Sequence, residues 1–190
     1  MGSPGRPFEH SPLPIPGGPV AEADHPPVAG WTPPTALERQ RILNRSRSVA
    51  VVGASANLAR ASYFVLTYLL SSSTDFEVYP VNPRSAGTEI LGRRVYASLA
   101  DLPVTPDIVD VFRRAEDLPP VADETIAVGA PVFWAQLGLW SPEAAQRCVA
   151  AGLDVVMDRC LKIEHARFHG GLHLSGFDTG VISSRRGSHH

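Results

Sequence analysis

Two stretches hold the residue types from which chemistry is made. Asp158 to His165 packs a thiol, an imidazole, two carboxylates and two cations into eight consecutive residues. A thiolate beside an imidazole would be a nucleophile. On one helix, however, the five-residue step from Cys160 to His165 turns the two about 140° apart, so they do not face each other. Near a helix start Cys160 could gain thiolate character, whereas an apolar surround would make it an inert core residue. The sequence leaves both readings open. His165, His169 and His173 lack the ligand spacing of a known metal site, and no metal is expected. The second stretch is Gly53-Ala54-Ser55, which follows the apolar run Ser48 to Val52 and leads to Arg60 and Ser62 at a helix opening. Unpaired N–H groups and a partial positive charge at a helix N-terminus make such a turn a seat for phosphate. No pair of groups suited to nucleophilic or acid–base catalysis emerges, and no catalytic residue is assigned.

The elements that must position these residues alternate regularly. Thr35 caps a short amphipathic helix over 36–43. Apolar strands are expected at Ser48–Val52, Phe76–Val81, Asp107–Phe112, Pro131–Ala135 and Leu153–Met157. Helices are expected over Arg60–Ser71, from Pro119-Pro120 to Val128 with a stop at Gly129, from the Ser141 cap to Ala151, and over Arg159–Phe168. The segment Arg84–Leu102 reads as loop with one short helix capped by Ser98. This alternation implies a parallel, doubly wound α/β sheet of Rossmann-like, three-layer architecture. The expected strand order is 3-2-1-4-5, with the ligand beyond the carboxyl ends of the strands.

Composition bounds the function. A chain of 190 residues with formal charge −2 suits one domain with appendages and offers no basic surface to nucleic acid. Two cysteines, no signal-peptide pattern and no run of the ~18 apolar residues a membrane span needs point to a soluble cytoplasmic protein with free thiols. Residues 1–34 are rich in proline and glycine and read as a flexible arm, or as a proline-motif docking segment. Residues 35–168 make the domain and 169–190 an extension, whose last residues, Gly187-Ser188-His189-His190, read as the start of a purification tag.

The turn lacks the second and third glycines of the dinucleotide fingerprint, Ser55 and Leu58 standing in their places. Strand two ends in Val81-Asn82-Pro83-Arg84, without the acidic residue that holds the ribose hydroxyls of NAD. That suits a nucleotide lacking a free 2′,3′-diol pair, or one carrying an additional phosphate near Arg84. Phe112 and Arg113 end the third strand and Gln136 the fourth. Each has a plain alternative: Arg60 as a solvated cation, Phe112 as core, Gln136 as part of an ordinary loop.

Together these residues resemble the stand-alone CoA-binding proteins, related to the nucleotide-binding domain of the succinyl-CoA synthetase alpha subunit. The marks are Val51-Val52-Gly53-Ala54-Ser55 with Arg60 and Ser62, Tyr79-Pro80-Val81-Asn82-Pro83, the run Glu89–Pro103, Asp107–Arg114, Trp134-Ala135-Gln136-Leu137-Gly138 and Met157–His165. The resemblance implies coenzyme A lying over the strand ends. Its phosphates would sit at Gly53–Ser55, its adenosine near Val81–Arg84, and its pantetheine would run past Phe112 toward Gln136. Cys160 stands where the synthetase has the cysteine of a Pro-Asn-Cys segment, which places it near the CoA thiol and implies a mixed disulfide under oxidation. The synthetase also needs a phosphorylated histidine from a second domain and an ATP-grasp subunit, and neither is found in these residues. The expectation is therefore binding of CoA or a CoA thioester without catalysis, as sensor or carrier. Alternatives are an NAD(P)-dependent oxidoreductase and an adaptor that recruits a protein partner through the arm. Homo-oligomerisation stays open.

Overall fold

The run Ser48–Val52 forms strand β1, buried at every position, because helices cover both faces of the sheet and neither meets water. The computed structural model describes residues 25–71 and 74–169. Helix α1 (Ala36–Arg45) precedes β1 and starts in a capping box in which Thr35 and Glu38 exchange hydrogen bonds. After β1 come α2 (Ala61–Leu69), β2 (Glu77–Val81) and a hairpin of two short strands, β3 (Glu89–Ile90) and β4 (Arg93–Arg94). A short 3-10 turn capped by Ser98 follows. The chain continues through β5 (Ile108–Val111), α3 (Leu118–Ala127), β6 (Val132–Ala135), α4 (Pro142–Ala150), β7 (Asp154–Val156) and α5 (Leu161–His169).

Alternation along the strands sorts the core into two layers. Ala50, Val52, Val109, Val111 and Phe133 pack with Leu118, Ala122, Ala144 and Cys148 of α3 and α4. Val49, Val51, Ile108, Val132 and Trp134 pack with Ile42, Leu43, Val65, Leu66 and Leu161 of α1, α2 and α5. A nearly buried ion pair, Arg39 Nε to Glu164 Oε2 at 2.8 Å, joins α1 to α5. Losing either partner would strand a charge in the interior.

The five long strands are all parallel, in the order β2-β1-β5-β6-β7. The α/β class agrees with expectation, but the order does not: the third long strand lies beside the first, not outside the second, so the order reads 2-1-3-4-5. The outer edge of β2 is already occupied. Tyr96 donates its backbone N–H to Pro80 and accepts from Asn82, each at 2.9 Å, laying the segment after β4 along the place a further strand would need. Pro80 carried the signal, since a proline within a strand lacks a ladder donor and belongs at a sheet edge.

The arm expected to be flexible through Pro34 is packed from His25 onward. Val28 is buried, Trp31 Nε1 donates to the Val155 carbonyl, and Trp140 Nε1 donates to that of Pro26, both at 3.2 Å. The His25 ring stacks on Trp140 at 4.1 Å. Residues 1–24 and 170–190, including His173 and the tag-like end, lie outside the described residues.

Gly53 sits where β1 passes into the turn, at φ +87°, and a Cβ there would lie 2.4 Å from the Phe112 carbonyl oxygen. Gly53→Ala is therefore expected to cost about 3 kcal/mol, from left-handed strain plus a forced shift of the Phe112 backbone. That corresponds to a melting temperature lower by about 6–12 °C. Gly129 has a similar φ of +74° but open space around it, so Gly129→Ala should cost only about 1–2 kcal/mol. Equal losses in the two thermal melts would show that close approach is not what demands glycine at 53.

Candidate functional site

The carboxyl ends of the parallel strands open into a cleft of about 760 Å³. It straddles the point where the chain leaves β1 toward β2 on one side and β5 lies on the other, the switch point at which such sheets bind ligands. Across the sheet, β2 contributes Asn82 and Arg84, β1 Gly53 and Ser55, and the start of α2 Arg60 and Ser62. Phe112 and Arg113 follow β5, Gln136 and Leu137 follow β6, and Cys160 with Lys162 come from the start of α5. The sequence-predicted residues are thus brought together except for three. Ala54 and Val81 are buried in the core, where the Val81 carbonyl accepts the N–H groups of Gly53 (2.8 Å) and Ala54 (3.3 Å) and so shapes the turn. Pro83 opens an exposed 3-10 turn. Asn82 is a clamp: its amide donates to the Ala54 carbonyl at 2.8 Å and accepts from the Arg84 N–H at 3.1 Å.

The cleft is cationic by omission of its partners. No aspartate or glutamate lines it, and Arg60, Arg84 and Arg113 make no ion pair among the described residues. Arg39, Arg45, Arg114 and Arg147 are each matched to a carboxylate. Lys162 lies over the Tyr68 ring, 5.8 Å from its centroid. At the start of α2 the backbone N–H groups of Ala61 and Ser62 have no partner among the described residues, as the first turn of a helix requires. Guanidinium groups and free N–H groups without competing carboxylates form a seat for phosphate.

Beneath the cleft lies a carboxyl that the sequence reading missed. Asp110 interrupts the apolar run of β5 and is fully buried. It accepts from Gln136 Nε2 at 2.6 Å on Oδ1 and has no partner on Oδ2. Burial pushes its pKa up to about 8, against a smaller opposing effect of the Gln136 bond. A polar residue inside a β-branched run was the available signal. Cys160 does not carry the lowered pKa that a helix start can give. Burial raises it, outweighing hydrogen bonds from the backbone N–H groups of Ile163 and Lys162. His165 turns to the other side of α5, where its Nδ1 meets the Tyr68 hydroxyl at 2.8 Å and its ring packs on Phe76 and His169. Burial pushes its pKa down to about 4. Sequence reasoning also passed over Phe64, Leu137, Lys162 and Ile163, which line the cleft. Among the described residues no group of three metal-ligating side chains occurs, and no helix is long and apolar enough to cross a membrane.

The Asp110 carboxyl sets a pH dependence whose sign follows from where its proton goes. Folded, it keeps the proton up to about pH 8; unfolded, it releases it near the ordinary 3.8. Between these values the unfolded state binds fewer protons, so stability falls as pH rises, by ~1.4 kcal/mol per unit at most, and levels off above pH 8. The depressed pKa of His165 acts in the opposite direction, but only below its usual 6.5. Asp110→Asn should therefore gain on the unmodified protein as pH rises from 6.5 to 8, and no further above, in urea unfolding. Parallel curves over that range would mean that the folded carboxyl is already ionised.

A family model described as a CoA binding domain matches residues 47–166. The uncharacterized protein YneT of Bacillus subtilis is 43% identical over 133 residues, which cover 70% of this chain and 96% of the relative. The alpha subunit of the ADP-forming acetate–CoA ligase I of Pyrococcus furiosus is 33% identical over 88 residues, 45% of this chain but only 19% of that subunit. Among solved structures, cell-free ID.343 from Thermus thermophilus superposes with a TM-score of 0.66 at 36% identity, covering 70% of this chain and 98% of that one. A hypothetical protein from Pyrococcus horikoshii gives 0.66 at 35% identity, with 77% and 99% covered. With well over half of its length matched to one family model and a relative spanned almost end to end, the chain belongs to the CoA binding domain family.

Proposed function

We propose that the cleft binds coenzyme A or a CoA thioester and does not transform it. The observation that carries the reading is the set of three arginines without carboxylate partners, gathered with unpaired helix N–H groups at the ends of β2, β1 and β5. Coenzyme A brings a diphosphate and a 3′-phosphate, charges that these groups would meet. Gly53 fits this use, since its missing side chain leaves the turn closely apposed to Phe112. On this reading the diphosphate lies at Gly53, Ser55 and Arg60, the adenosine end with its phosphate lies by Asn82 and Arg84, and the pantetheine passes Phe112 toward Gln136 and Cys160.

NAD is disfavoured because Asn82, at the position that would hold the ribose hydroxyls, is committed to Ala54 and Arg84, and no carboxylate lines the cleft. A non-catalytic role is supported by the enclosure of Asp110, the raised pKa of Cys160 and the distant orientation of His165, which together leave no acid–base pair at the ligand. The same raised pKa makes Cys160 a slow partner for CoA disulfide at neutral pH, an exchange that would release one CoA thiol. A sensor or carrier role follows from binding without turnover.

Titration calorimetry with CoA, NAD and NADP tests the reading: CoA should saturate the protein and the dinucleotides should not. Saturation by NAD with no response to CoA would reverse it. Arg60→Ala should weaken CoA about ten- to hundredfold, the worth of a charged hydrogen bond, with an unchanged melting temperature. Arg84→Ala should weaken CoA but leave the affinity for 3′-dephospho-CoA unaltered. Equal losses for both ligands would remove the 3′-phosphate from Arg84.

A further inference from the structure

The cleft is graded from one side of the sheet to the other. Arg84, Arg60 and Arg113 are grouped at the β2, β1 and β5 ends, whereas the β6–β7 end is walled by Leu137 and Ile163; Phe64 of α2 lines the same cleft. These are large apolar side chains left 65%, 51% and 57% exposed. They come from three separate elements, the loop after β6, the first turn of α5 and the first turn of α2, and all three line the same cleft. Folding does not require them, since no core packs over them. Apolar side chains gathered at a ligand cleft and left in water mark a surface that binding covers.

We infer that the β6–β7 end of the cleft is an acyl subsite, so that the ligand is a CoA thioester with an aliphatic acyl group. This rests on the CoA reading above. Parallel strands lie about 4.8 Å apart, so the path from β2 to β7 is roughly 19 Å. A nucleotide diphosphate held over β2, β1 and β5 sends its pantetheine, with two amides, across β5 and β6, and brings the sulfur toward Cys160. What lies beyond the sulfur meets Leu137 and Ile163. Free CoA ends in a bare thiol there and leaves those side chains wet, whereas an aliphatic chain covers them. The neighbouring groups are compatible with an apolar occupant. Cys160 and Asp110 are uncharged near neutral pH, and Lys162 is turned over the Tyr68 ring.

Calorimetric titration of the full chain with CoA, acetyl-CoA, butyryl-CoA and octanoyl-CoA, below micelle-forming concentrations, tests this. Affinity should rise with chain length, with octanoyl-CoA about tenfold or more tighter than CoA, a small share of what burying its methylenes can contribute. The double variant Leu137→Asn, Ile163→Asn changes only exposed positions; it should flatten that series, so that CoA and octanoyl-CoA bind the variant within about twofold of each other. Equal affinity for CoA and octanoyl-CoA, or a series that survives the double variant, overturns the acyl subsite. Sedimentation showing a dimer that the double variant dissociates also overturns it, assigning the apolar end to a second copy of the chain. No binding of any CoA compound would instead overturn the CoA reading on which this rests.

Discussion

The structure depends on how closely two strand ends approach. The Phe112 backbone follows β5 directly beside the turn that follows β1, so near that residue 53 can carry no side chain. Hydrogen bonds from Phe112 N–H to the Val52 carbonyl and from Gly53 N–H to the Val81 carbonyl, each 2.8 Å, lock three strand ends together at this point. The crevice of the sheet therefore begins as a rigid backbone cradle with α2 aimed away from it. A flexible loop would have to be ordered by its ligand at a conformational cost; this one is set by the fold.

Charge is distributed accordingly. Where arginines serve the fold they are matched, as Arg39 is with Glu164 between two helices and Arg147 with Asp123 and Glu143 on the surface. Arg60, Arg84 and Arg113 surround the cradle with no carboxylate among its lining residues. Pairing would neutralise the field at the cleft, so leaving these three arginines without carboxylate partners keeps the cleft electropositive and contributes nothing to stability. Under the cleft the opposite economy holds. Asp110 is kept neutral by burial and is tied to Gln136, which draws inward a side chain that otherwise reads as a ligand contact.

A second tether reaches the same wall from outside the family match. Asp158 adopts a positive φ of +54°. Its Oδ1 accepts the Gly138 N–H at 2.6 Å and its Oδ2 lies 3.0 Å from His25 Nε2, while its own N–H donates to the Leu139 carbonyl at 3.1 Å. The loop that carries Gln136 and Leu137 is thus held through one carboxylate to the packed arm, and the stacking of His25 on Trp140 fixes that arm in turn.

Apart from the β3–β4 hairpin, which falls in the segment Arg84–Leu102 read as loop, element types and boundaries were legible in the sequence because they are set by near neighbours. The β-branched run at Ser48–Val52, the Thr35 and Ser141 caps and the Gly129 stop each act within a few residues. The location of the cleft was legible as well, since any parallel sheet built of such units opens at its strand ends. Tertiary structure alone decided which neighbours those ends acquire. The Tyr96 segment fills the edge of β2 and moves the third strand to the other side of β1. Asn82 meets Ala54 across 28 positions and Gln136 meets Asp110 across 26, which ties two side chains of the cleft wall to the sheet beneath them. Cys160 became a half-buried thiol with a raised pKa and not an activated one for the same reason. Burial is a property of what packs around a residue, and the chain brings those groups from far along its length.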